Sequence, residues 1–159
     1  MVLRSLFFVD EKRKRQVRRL NKERNYHMTI TRLEEIEGWQ AARQLTNAVY
    51  AVALVGAFAK DFGLRYQITR AAGSAMHNIA EGFDAGSNPE FIKFLRYSQR
   101  SCTEVKSRLC AALDQNYITT KQFEDIYEQA SKTHGKVGGF IKYLSQSRRG
   151  QRRTKNQEP

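Results

Sequence analysis

The residues best placed for chemistry lie in a stretch of small side chains, residues 67–82. Within it, Ser74, Asn78 and Glu81 are three or four residues apart, so a helix brings them onto one face. We call these three residues the polar stripe. His77 precedes Glu81 by four residues, and a histidine with a carboxylate at that spacing suits a metal site or an acid–base pair. The stretch therefore raises the question of catalysis.

The rest of the sequence does not supply the other parts of such a site. A bundle that holds two metal ions needs two Glu-x-x-His motifs and two further glutamates, and none of the three histidines, His27, His77 and His134, follows a glutamate by three residues. There is also no glycine-rich phosphate loop, no dinucleotide fingerprint and no nucleophile with a supporting base. We expect a protein that is not an enzyme and that binds neither a metal nor a cofactor.

A structural role suits the polar stripe better. Buried polar side chains from neighbouring helices can form a network that fixes register and oligomeric state. The predicted network consists of Arg70, Ser74, Asn78, Glu81, Ser101 and Glu104.

Three cations also recur at helical spacing: Lys93, Arg96 and Arg100. We call them the basic row, which Tyr97 flanks. Cations on one helix face attract phosphate groups, so this row is a candidate nucleic-acid surface. The alternative is a solvated face laced with ion pairs, because Glu90, Glu104 and Arg108 lie along neighbouring rows. Nothing resembles a helix-turn-helix or an aromatic RNA-binding signature, so base-specific recognition is not expected.

The net charge of +12 belongs mostly to the two ends of the chain. Residues 1–27 hold nine basic and three acidic residues (+6), and residues 148–159 hold five and one (+4). Basic arms are typical of nucleic-acid contact, although such tails can equally be solvated and without a ligand. The C-terminal candidates for phosphate contact are Arg148, Arg149, Arg152 and Arg153.

The two cysteines and the N-terminal sequence indicate in which cellular compartment the protein is located. Cys102 and Cys110 are eight residues apart, about 12 Å along a helix, which is beyond disulfide reach. The apolar run at residues 6–9 is too short for a signal peptide, and the basic cluster follows it. We expect a cytoplasmic protein without a membrane partner.

Helical periodicity predicts an all-α, antiparallel up-down-up-down four-helix bundle over residues 29–146, with a basic extension at 1–28 and a basic tail at 147–159. The first helix begins at a Thr31–Glu34 capping box or after Gly38 and ends near Phe58. The second helix is predicted to follow Asp61 and to end near Gly82. The third is predicted to follow Ser87, whose side chain is suited to cap it, and to end near Asn116. The fourth is predicted to begin at a capping box of Thr119 and Gln122 and to end near Leu144.

The first helix has more apolar surface than one bundle needs. Every residue from Ala48 to Val55 is apolar, and the run is too short to span a membrane. A subunit interface explains it better than an exposed patch does. The predicted interface residues are Ala48, Ala51, Val52 and Val55.

Several motifs carry a family resemblance. The central ones are Gln67-Ile68, Arg70-Ala71-Ala72, Ser74 and Asn78-Ile79-Ala80-Glu81-Gly82, supported by Trp39, Glu90-Phe91, Phe94-Leu95 and Asn116-Tyr117-Ile118. On these motifs, residues 36–144 resemble the bacterial four-helix-bundle proteins encoded in intervening sequences of large-subunit ribosomal RNA genes. A distant relative of that family is the accessory variability protein of diversity-generating retroelements.

The resemblance implies a cytoplasmic bundle that assembles as a ring, commonly a pentamer, with nucleic-acid binding in at least the retroelement relative. The chain departs from the family pattern at Arg100, where glycine is usual, and at Thr69, where a basic residue is common. Two functions follow as hypotheses: a ring-forming adaptor that binds RNA or DNA, with a partner such as a reverse transcriptase, or a protein-interaction scaffold with incidental tails. Translation from Met28 is a further expectation, because residues 22–24 can be encoded as a purine-rich ribosome-binding site.

Overall fold

A computed structural model describes residues 30–155, with the side chains of residues 30–146. Its helices are α1 (Glu37–Ala53), α2 (Phe62–Asp84), α3 (Asn88–Asp114) and α4 (Thr120–Lys155), with short 3-10 helices at Leu33–Glu35 and Phe58–Lys60. The described residues contain no strand. The four helices lie within one compact unit, Arg32–Pro159, which confirms the predicted four-helix bundle. The predicted N-terminal extension lies outside the described residues.

Each helix packs on two others, so that α1 and α3 both contact α2 and α4. Early residues of α3 meet late residues of α4: Phe91 packs edge-on against Phe140, with ring centroids 5.3 Å apart. Later along α3, Lys106 lies over the ring of Tyr127 near the beginning of α4. The largest fully buried side chains include Leu45, Val49, Phe58, Ile68, Ile79, Leu95, Val105, Leu109 and Val137.

Helix α1 begins at Glu37, close to the predicted start after Gly38, and ends earlier than its sequence predicts. The proposed capping box at Thr31–Glu34 does not start it; buried Ile36 is extended (φ −77°, ψ 108°) and separates a 3-10 turn from α1. The predicted end near Phe58 is also wrong. Gly56 adopts φ +57°, a left-handed conformation that favours glycine and turns the chain. Phe58 is thereby freed from α1 and is fully buried against Tyr117, with ring centroids 5.3 Å apart.

The other helix starts follow their local chemistry more closely. Asp61 caps α2 by accepting a hydrogen bond from the Leu64 amide at 2.9 Å. Thr119 and Gln122 form the predicted reciprocal capping box before α4, at 2.9 and 3.2 Å. Ser87 occupies the N-cap position of α3, but its side chain makes no capping hydrogen bond, contrary to the expected capping side chain.

Helix ends also differ from expectation on the C-terminal side. Helix α3 stops at Asp114, and Asn116 then adopts φ +56°, which ends the helix before the predicted residue. Helix α4 continues past Leu144 to Lys155. No helix in the described part of the chain combines the length and apolarity that a membrane span requires.

Candidate nucleic-acid interface

Three members of the predicted polar network come together between α2 and α3. The amide nitrogen of Asn78 donates to the Ser74 carbonyl at 2.7 Å and lies 3.0 Å from the Ser74 hydroxyl. Ser101 of α3 donates to the same hydroxyl at 3.1 Å. These bonds link two helices through short side chains, which holds the helices in register.

The other three members do not join this network. Arg70, Glu81 and Glu104 are exposed. Glu104 instead lies 3.7 Å from Arg108 on its own helix, and among residues 30–146 Arg70 and Glu81 make no hydrogen bond to the network. The spacing puts Glu81 on the same helix face as Ser74 and Asn78, but Glu81 lies at the solvent-exposed edge of that face.

A buried hydroxyl that was not among the predicted network residues lies next to this network. Ser98 is fully buried, and its Oγ donates to the Ala75 carbonyl at 2.7 Å. The sequence does indicate that Ser98 is buried, because Ser98 lies in the apolar row of α3 between Leu95 and Cys102. A small polar residue in a core row needs a partner, and the backbone of α2 supplies it.

The residues considered for metal or nucleophilic chemistry have no supporting geometry in the described part of the chain. His77 and Glu81 are both exposed, and no group of three or more potential ligands converges among the residues searched. Burial raises the pKa of the Cys102 thiol to about 12, so this thiol stays protonated near neutral pH. Cys110 is exposed and unpaired.

The basic row lies in the first half of α3, where all three cations are exposed. None of them lies within ion-pair distance of a carboxylate among residues 30–146. Glu104, four residues after Arg100, pairs with Arg108 instead. The Arg100 guanidinium sits 5.7 Å from the centre of the Tyr97 ring, which confirms that this aromatic flanks the row. The row therefore presents three positive charges that no carboxylate in the described part of the chain compensates.

Three exposed lysines on α4 differ from the basic row because carboxylates compensate them. Lys121 pairs with Asp125 at 2.5 Å, Lys132 with Glu128 at 2.8 Å, and Lys136 with Glu37 at 2.7 Å. The Lys136 hydrogen bond also lowers the pKa of the Glu37 carboxyl. The ion-pair interpretation thus describes these α4 lysines, and it does not describe the basic row.

The C-terminal candidates Arg148, Arg149, Arg152 and Arg153 have side chains outside the described residues. The backbone of α4 passes through their positions. Lys142, an exposed α4 cation that the sequence interpretation did not select, precedes them on the same helix.

The predicted interface residues fall into two groups. Val52 is only 7% exposed and belongs to the core of the bundle itself, whereas Ala48 is half-buried. Ala51 and Val55 are exposed. The exposed apolar surface extends beyond α1 to the start of α2, and we call this group the apolar end: Tyr50, Leu54, Val55, Phe62 and Tyr66.

The architecture defines an all-α bundle protein whose helices are joined by short polar contacts. The chain belongs to the 23S rRNA-intervening sequence protein family, whose family model matches residues 34–139. This confirms the predicted family; a link to retroelement proteins stays a prediction. A crystal structure of a protein of unknown function from the S23 ribosomal protein family of Bacteroides thetaiotaomicron shares the fold, with a TM-score of 0.60 and 23% identity. That similarity covers 66% of this chain and 98% of the other. No curated protein matches the chain.

Proposed function

We propose that this protein is a cytoplasmic, non-enzymatic adaptor that assembles from several copies and binds RNA or DNA through the phosphate backbone. The observation that carries the proposal is the basic row, three exposed cations without carboxylate partners among the described residues. Leaving such cations uncompensated favours an external anion, and polyphosphate backbones bind Lys and Arg by releasing condensed counterions.

Membership of a 23S rRNA-intervening sequence family fits a ribosomal RNA-associated role. Ribosomal RNA is accordingly one proposed ligand. A partner enzyme such as a reverse transcriptase is a second possibility within the same proposal, and it depends on the resemblance to retroelement proteins. By sequence, the C-terminal arginines would extend the phosphate contacts.

The test is binding of fluorescently labelled RNA and DNA as the salt concentration is raised from roughly 50 to 200 mM. Replacing Lys93, Arg96 and Arg100 with alanine should reduce the slope of log affinity against log salt by about 2 to 3, since each phosphate contact contributes about 0.7 to 0.9. Deleting residues 147–159 should reduce the slope further.

A matched control removes the same three positive charges from the compensated lysines, Lys121, Lys132 and Lys136. This variant should keep the wild-type slope, because its cations already have carboxylate partners. An equal loss of slope in both variants would show that net charge, and not the basic row, controls binding.

The alternative function is a protein-interaction scaffold without a nucleic-acid role. The apolar end favours it, because Leu54 is 55% exposed and Phe62 is 69% exposed. A protein that retains no RNA or DNA at low salt would contradict the adaptor and leave the scaffold.

A further inference from the structure

The basic row offers charge without an available aromatic surface on its own helix. Tyr97 packs edge-on against Phe94, with ring centroids 6.0 Å apart, and the Arg100 guanidinium lies over its ring. Phe91 is only 9% exposed and packs against Phe140. The aromatic rings of this part of α3 are therefore occupied by contacts within the protein.

The most exposed aromatic side chains lie far from the start of α3. Phe62 and Tyr66 are 69% and 62% exposed at the beginning of α2. Gly82, near the other end of α2, is the residue against which Phe91 packs. Twenty residues separate Phe62 from Gly82, which corresponds to about 30 Å along the helix.

Single strands and duplexes place different demands on a binding surface. Single strands gain much of their affinity when unpaired bases stack on aromatic side chains. A duplex hides its bases and presents a denser array of phosphates, and each contact releases about 0.9 counterion, against about 0.7 for a single strand. A surface that offers charge without stacking favours the duplex.

Neighbouring charges limit how far a duplex can extend along the protein. Beyond Arg100, Glu104 and Arg108 compensate each other. The beginning of α4, which packs near the later part of α3, carries Glu124 together with Asp125 and Glu128, which pair with Lys121 and Lys132. Lys106 is half-buried over the ring of Tyr127. The exposed cations of α3 without a carboxylate partner among residues 30–146 thus span about 10 Å from Lys93 to Arg100, enough for about three phosphate contacts.

We infer that the basic row binds double-helical nucleic acid along its phosphate backbone, in preference to single strands and without reading base sequence. This inference rests on the proposed function and names the class of ligand. The shared chemistry is the phosphodiester duplex, so RNA and DNA duplexes are both included.

The experiment compares a labelled RNA duplex, the DNA duplex of the same sequence, and the unpaired strands, with the full-length protein. At about 100 mM salt we expect at least one duplex to bind about tenfold more tightly than its own strands. Alanine at Lys93, Arg96 and Arg100 should lower the salt slope for that duplex by about 2.7, which is about 0.9 for each contact. Shuffling the duplex sequence should not change affinity.

A stacking variant separates the two binding modes. Tyr143 is 45% exposed on α4 and stacks on Phe140, which packs against Phe91 near the start of α3. Tyr143→Ala should leave duplex affinity within twofold of wild type. Equal or tighter binding of the unpaired strands, or a duplex slope that the alanine variant does not change, would overturn the duplex inference while nucleic-acid binding stands. Loss of binding to every probe at low salt would overturn the proposed function itself.

Discussion

Asn78 ties α2 to α3 although its side chain bonds only within α2. Its amide holds Ser74 in place, and Ser101 of the neighbouring helix then donates to the Ser74 hydroxyl. Asn78→Ala should lower the free energy of unfolding by about 1 kcal/mol, because it removes two hydrogen bonds from a partly buried site. Urea unfolding monitored by circular dichroism measures this change.

Glu81 provides the matched control within the same stripe. It is exposed and makes no bond to the network among residues 30–146, so Glu81→Ala should change stability by less than about 0.5 kcal/mol. The sequence predicts a structural role for both residues. An equal loss of stability in the two variants would restore that expectation and contradict the assignment of Glu81 to solvent.

Residue spacing alone does not determine which residues of the polar stripe are buried. Positions three or four apart share a helix face, which correctly brought Ser74 and Asn78 together. The width of that face still includes both a buried edge and a solvent edge. Only the packing of α3 against α2 decides which residue meets Ser101, and that packing depends on side chains such as Phe91 that are distant in sequence.

At the scale of helices, two glycines in helical positions should respond in opposite ways to alanine. At Gly82 a Cβ atom would lie 2.5 Å from the Phe91 ring and 2.9 Å from the Phe94 Cβ, whereas at Gly135 it would meet nothing within 4 Å. Gly82→Ala should destabilise the protein by about 1 to 3 kcal/mol through overpacking. Gly135→Ala should stabilise it by about 0.5 to 1 kcal/mol through helix propensity.

Thermal and urea unfolding of the Gly82→Ala and Gly135→Ala variants, compared with the wild type, measure these two changes in stability. Destabilisation by Gly135→Ala would show that something approaches this face of α4 in the intact protein. A neutral Gly82→Ala would show that α2 and α3 can separate at little cost.

Helix boundaries could be predicted where local chemistry determines them. The Thr119–Gln122 capping box is formed by residues three apart, and its prediction is confirmed. The end of α1 could not be predicted in the same way. Apolar residues continue to Phe58, but Phe58 leaves the helix to stack on Tyr117, fifty-nine positions later in the sequence. Local periodicity contains no information about that contact.

At the scale of the whole molecule, the apolar end and the basic row are separated along the bundle. Phe62 and Tyr66 begin α2, while the start of α3 packs near the end of α2 at Gly82. Copies that associate through the apolar end would therefore leave the basic row of each copy accessible. Repeating the row in an assembly would multiply the electrostatic field that attracts a polyanion.

The last prediction concerns that assembly. We expect native mass spectrometry and sedimentation at micromolar concentration to show an oligomer, with a pentamer as the specific expectation from family resemblance. Ala51→Glu and Leu54→Glu should shift the mass toward the monomer without loss of helicity, because both positions are exposed in the single chain and a charge there costs free energy only when a second copy covers it. Ser107→Glu, at an exposed position of α3, is the control and should keep the wild-type mass. A wild-type monomer would contradict the assembly, and an unchanged mass in both glutamate variants would place the interface away from α1.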